Sequence, residues 1–174
     1  ADMDNDGDLD IVSASYTDDA IAWYENASIT PSLPSFTART ITTSADGAWS
    51  VYAVDMDGDG DMDVLSASRE DDKIAWYEND GSESFTAATI TTSADGAWSV
   101  YAVDMDGDGD MDVLSASRED DKIAWYENNG SESFTAHTIT SSADGAWSVY
   151  AVDLDGDGDM DVLSASSLDD KIAW

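Results

Sequence analysis

Short apolar runs alternate with acidic and glycine-rich turns along the whole chain. In one representative unit Ser50-Val-Tyr-Ala-Val54 is apolar and β-prone, and an acidic loop follows it. Val64-Leu-Ser-Ala-Ser68 reads as a second strand, and Arg69-Glu-Asp-Asp72 as a polar turn. Lys73-Ile-Ala-Trp-Tyr-Glu78 is a third strand that is apolar on both faces, with Ile74 and Trp76 on one and Ala75 and Tyr77 on the other. Successive strand residues point to opposite sides of a sheet, so such a strand is covered from both. Asn79-Asp-Gly-Ser-Glu83 carries an Asp-Gly hairpin signal, and Phe85 to Thr91 is a fourth strand. Ser93-Ala-Asp-Gly-Ala97 leads into the next copy. No stretch shows helical periodicity with caps, so the pattern predicts an all-β chain.

The unit recurs every 49 residues: Ile41 to Asn79 returns letter for letter as Ile90 to Asn128. Counted from the first Asp of each acidic loop, the repeat units are 2–54, 55–103, 104–152 and a partial 153–174 within one repeat domain, 1–174. The first is longer because Ala27 to Ser35 carries extra residues, including Pro31 and Pro34, which places a surface loop there. Four short strands per period of this length predict a β-propeller, in which stacked blades cover each other's faces. The chain supplies about three and a half such blades. A β-solenoid has shorter coils, and helical calcium modules do not fit β-prone flanks.

The acidic loops share one pattern, Asp-x-Asp-x-Asp-Gly-Asp-x-Asp. They comprise Asp2, Asp4, Asp6, Asp8 and Asp10; Asp55, Asp57, Asp59, Asp61 and Asp63; Asp104, Asp106, Asp108, Asp110 and Asp112; and Asp153, Asp155, Asp157, Asp159 and Asp161. Five like charges in nine residues repel, and a hard cation with many oxygen ligands reverses that. Gly at position six (Gly7, Gly60, Gly109, Gly158) permits a sharp turn. The expectation is about four Ca²⁺ sites. An EF-hand needs Glu at position 12, where this chain has Ser13, Ser66, Ser115 and Ser164. Magnesium fits less well, because it demands tighter octahedral geometry and keeps its waters.

Composition sharpens the picture. The net charge is −33, and 20 of the 39 acidic residues lie in the four loops. That field repels nucleic-acid phosphates and anionic membranes. There is no cysteine, which excludes disulfides and thiolate zinc sites. No apolar run approaches the ~20 residues of a membrane helix. Both ends of the sequence read as cuts in a longer chain.

Together these residues resemble the FG-GAP/VCBS repeat family, which builds integrin α-chain propellers and many secreted bacterial propellers. Residues 55–63 match that family's calcium loop. Ala48-Trp49 stands where the family often has Phe-Gly, and Ser66-Ala-Ser68 where Gly-Ala-Pro is typical; both lie closer to the bacterial VCBS version. The resemblance implies a calcium-binding propeller, most often seven-bladed. In it loop positions 1, 3, 5 and 9 would offer side chains and position 7 a backbone carbonyl.

Other candidates are weaker. Trp49, Trp98 and Trp147 precede the first strands, and Trp23, Trp76, Trp125 and Trp174 lie in the third. Either set could stack on sugar rings, but inter-blade packing is the expected role. His137 replaces Ala88 of the preceding copy and reads as surface variation. Asp18-Asp19 and Asp71-Asp72 sit in repeated turns and read as solvated rather than as an acid/base pair. Asn26-Ala-Ser28 and Asn129-Gly-Ser131 match the glycosylation acceptor pattern. No nucleophile elbow or phosphate loop is present, so no enzyme activity is expected. The sequence therefore leads to a secreted or cell-surface calcium-binding scaffold for adhesion or ligand binding, its partner a glycan or a protein. The alternatives are a unit of an extracellular filament or surface layer, with self-association or further repeats closing the ring, and an accessory module of a larger secreted enzyme. Neither nucleic acid nor membrane insertion is expected.

Overall fold

The computed structural model describes residues 1–27 and 35–174. The proline-containing insertion and Ser28 of the first acceptor tripeptide lie outside the described residues.

The chain forms antiparallel meanders. Strands β1 (Ile11–Ser15), β2 (Ala20–Asn26) and β3 (Phe36–Thr42) make the first sheet. The second contains β4 (Ala48–Val54), β5 (Asp63–Ser68), β6 (Lys73–Asn79) and β7 (Phe85–Thr91). The third repeats this with β8 (Ala97–Val103), β9 (Asp112–Ser117), β10 (Lys122–Asn128) and β11 (Phe134–Thr140). The last has β12 (Ala146–Val152), β13 (Asp161–Ser166) and β14 (Lys171–Ala173). Among the described residues this is a partial β-propeller with two four-stranded and two three-stranded blades. The blade boundary does not coincide with the repeat counted from Asp to Asp: the second, third and fourth blades open with β4, β8 and β12, which precede the acidic loop.

Burial explains the stacking. Val64, Ala75 and Tyr77 of the second blade pack with Met3, Ile21 and Trp23 of the first. The opposite face, with Leu65, Ile74 and Trp76, packs with Val100, Val113, Ala124 and Tyr126 of the third. Leu114 and Ile123 then meet Val149 and Ala151 of the fourth. The two faces of the third strand thus separate as the alternation predicts. Trp23 and Trp76 are buried, which fits the packing role.

β4, β8 and β12 each begin two residues earlier than the apolar run. Ala48 pairs with Ser68 and Ser50 with Ala67, leaving Trp49 as the extra residue of a β-bulge. The same bulge recurs at Trp98 and Trp147. It lines the indoles up across blades: ring centroids are 3.9 Å apart for Trp49 and Trp98 and 4.5 Å for Trp98 and Trp147. Arg69 and Arg118 lie over Trp98 at 5.7 and 5.2 Å. A parallel row joins Tyr52, Tyr101 and Tyr150 at 4.9 and 4.7 Å.

The turn between second and third strands is not a solvated face. Asp72 has φ 55° and Asp121 φ 56°, a left-handed conformation that Asp tolerates better than most residues. Their carboxylates accept the amides of Gly96 and Gly145, in the segments that lead into the following blades. Asp19 does the same for Gly47. Asp71 pairs with Lys73, and its side chain is half-buried.

Candidate metal centres

Each acidic loop bridges the first and second strands of its blade, or leads into the second strand in the case of residues 2–10. All four therefore lie at one end of the propeller. The bulged indoles lie at the other, about 17 Å away along a strand at ~3.3 Å per residue.

Within a loop the carboxylates organise the backbone. Asp55 accepts the amides of Gly58 at 2.8 Å and Gly60 at 3.1 Å. Asp57 accepts from Asp59 at 3.1 Å, and Asp59 from Asp61 at 2.8 Å. Asp104, Asp106 and Asp108 repeat this set, as do Asp153, Asp155 and Asp157. In the first loop Asp2 accepts from Asp6 and Gly7, Asp4 from Asp6, and Asp6 from Asp8. Position six needs glycine for its backbone: φ is 95° at Gly7 and 99° at Gly60, in open space where a side chain would meet nothing. Position four is left-handed too, at Asn5, Gly58, Gly107 and Gly156, a second backbone requirement that the Gly or Asn there meets.

Position nine anchors the loop. Asp63 is fully buried and accepts the amides of Met56 at 3.0 Å and Asn79 at 2.7 Å. Asp112 is held alike by Met105 and Asn128, and Asp10 by Met3 and Asn26. Asp161 accepts from Leu154. Asn79 also donates its side-chain amide to the carbonyls of Met62 and of Met3 in the first loop, tying neighbouring loops together. The repeated Asn at the end of the Trp-Tyr-Glu-Asn strand was the available signal for this support; it reads by itself only as the start of a hairpin.

The carboxylate oxygens converge. Asp2, Asp4 and Asp6 bring ligand atoms within 4.8 Å of one another, as do Asp55, Asp57 and Asp63; Asp104, Asp106 and Asp108; and Asp153, Asp155 and Asp161. Among the described residues, position seven joins none of these groups. Asp61 accepts a hydrogen bond from the Asn5 side chain at 2.7 Å and lies where a side chain on Gly81 would stand, and Asp110 stands likewise against Gly130. Gly81 is thus needed for close approach to the acidic loop. The hairpin is also longer than a two-residue turn, closed by the amide of Asp80 on the carbonyl of Ser84. Ser66 and Ser115, at position 12, are buried against the hydroxyls of Tyr77 and Tyr126.

Several loop carboxyls sit above their ordinary range. Burial pushes the Asp63 carboxyl up to about 6, against the opposing effect of the Asn79 and Met56 amides. Burial also raises Asp112, Asp57 and Asp4. A divalent ion at the cluster removes this penalty by supplying the missing positive charge. Donors that are all carboxylate and carbonyl oxygen suit a hard cation.

The arrangement defines a class, a propeller of repeats that each carry an oxygen-lined acidic loop. A family profile described as FG-GAP-like repeat matches residues 2–66, 55–115 and 104–164, and the chain belongs to that family. No curated protein matches it by sequence. Its fold is similar to a solved structure reported as the basis of specific recognition of non-reducing terminal N-acetylglucosamine by an Agrocybe aegerita lectin. The TM-score is 0.57 at 16% identity, over 89% of this chain. The chain spans 46% of that lectin's length.

Proposed function

We propose that the chain is part of an extracellular, calcium-loaded propeller scaffold that presents ligand-binding surfaces to a glycan or a protein, and that it is not itself an enzyme. The observation that carries this reading is the convergence of acidic side chains in all four loops at one end of the blades. Positions 1, 3, 5 and 9 would hold Ca²⁺, with Asp55, Asp57, Asp59 and Asp63 as the representative set. The ion supplies charge balance and fixes the loop, which couples binding to folding. Millimolar calcium outside cells suits loops of this charge density. The fold it shares with a lectin supports a glycan among the ligand classes.

Calcium titration calorimetry is the first test, with about four ions per chain expected. Glycan-array binding in calcium and in chelator is the second. Absence of calcium binding overturns the metal reading. Calcium binding without any glycan retained on the array moves the ligand to the protein class.

Near-identity of the repeats favours one further reading, a structural unit of a filament or surface layer. Long regular particles in calcium, seen by electron microscopy, would establish it.

A further inference from the structure

The outer strands β3, β7 and β11 carry Arg39, Ala88 and His137 at one repeat position, each opposite the third-strand tryptophan of its own blade. In the first blade this position is a built-in cation. The Arg39 guanidinium donates to Glu25 at 2.6 Å and reaches Glu83 of the next blade's hairpin at 3.1 Å. It lies 5.8 Å from the Trp23 ring centroid. In the third blade His137 stands in the same place, 2.7 Å from Glu127 and stacked on Trp125 at 4.7 Å.

In the second blade the side chain ends at a methyl group, while the acidic partners are all retained. Glu78 is the counterpart of Glu25, and Glu132 that of Glu83. A cavity of about 280 Å³ lies between the second and third blades, lined by Asp57, Asp59, Trp76, Asn128, Gly130 and Glu132 among others. Glu78 stands beside it. Burial, followed by the Glu132, Asp57 and Asp59 carboxylates, holds its carboxyl above the ordinary range.

We propose that this groove is a receptor site for the guanidinium group of an arginine side chain presented by another polypeptide. The first blade supplies the template, since the same pair of glutamates binds a guanidinium there from within the chain. A planar fork of donors suits two carboxylates approaching from different blades, and the tryptophan floor suits a weakly hydrated cation. On the calcium reading proposed above, an ion in the neighbouring loop would neutralise Asp57 and Asp59 and leave Glu78 and Glu132, just as Glu25 and Glu83 are left for Arg39.

The test is titration of the calcium-saturated protein with N-acetyl-arginine amide, followed by amide NMR shifts around Glu78, Ala88 and Glu132. N-acetyl-citrulline amide, of the same shape without the charge, is the control. The arginine probe is expected to shift these amides, and citrulline to leave them unmoved. Glu132→Gln should weaken the arginine probe several-fold, and Ala88→Arg should abolish its binding by filling the groove from within the chain. Should Ala88→Arg fail to fold, Glu132→Gln and Glu78→Gln carry the test, since neither residue lies in a metal loop. Equal response to both probes, no response to arginine, or arginine binding unchanged in Glu132→Gln each overturns the inference.

Discussion

The carboxylate of Asp72 accepts the backbone amide of Gly96 at 2.9 Å, and the Asp72 carbonyl accepts the amide of Ala94 at 3.1 Å. One turn residue thereby latches its blade to the segment that begins the next. Asp72→Ala removes the acceptor and places alanine at φ 55°. We expect a loss of about 1–3 kcal/mol in denaturant unfolding, from an unmet amide and an unfavourable backbone. Asp72→Asn should retain most of the stability, since it keeps both an acceptor and a tolerance for that conformation. Equal loss in the two variants would show that the latch contributes nothing.

Chelation should lower the melting temperature. Each loop gathers five carboxylates, and ligand linkage contributes about 2.7 kcal/mol per site when free calcium is a hundredfold above its dissociation constant. Differential scanning calorimetry in calcium and in excess EDTA tests this, with metal loss checked by elemental analysis. Superimposable melting curves would exclude a stabilising role for the ion.

Asp57→Ala and Asp106→Ala should each reduce calcium stoichiometry by one site, because both side chains belong to converging groups. Asp71→Ala should leave stoichiometry intact and instead cost stability, since Asp71 is the partner of Lys73. Calorimetric titration and thermal melting of the three variants separate the effects. A stoichiometry reduced alike in all three would mean that the sites are misplaced.

Taken alone, this segment is expected either to pair with another copy or to need further repeats of the same chain to cover its last blade. Ile172 and Trp174 lie 80% and 71% exposed on the last blade, whereas their repeat counterparts Ile74 and Trp76 are buried against a neighbouring blade. A face of this composition is shaped to receive another blade, and left open it drives association. Sedimentation of the segment in calcium should show dimers or larger species, or no stable compact fold. A compact monomer that unfolds cooperatively would contradict this.

Much of the architecture was legible because repetition averages away local ambiguity. Ile74 and Trp76 declared one face and Ala75 and Tyr77 the other, and four copies of one acidic pattern declared the loops. What escaped depends on relationships between blades. The Trp49 bulge is invisible in the alternation, since a bulge shifts register without altering hydrophobicity. The Asp72 turn reads as polar surface until Gly96 is brought beside it. His137 looks like idle variation on Ala88 until Arg39 and the glutamates of adjacent blades come together in space. For the loops, the spacing marks the aspartates as a set, and only the folded chain brings Asp61 beside Asn5 of the neighbouring loop and Gly81 of its own hairpin.

The offset between blade and sequence repeat bears on how such a chain changes length over generations. From Ile41 onward, a duplication or deletion of 49 residues preserves the order of strands and loops whether its breakpoints fall inside a strand or inside a loop. Recombination between near-identical copies therefore adds or removes one whole blade at a time and leaves every junction native.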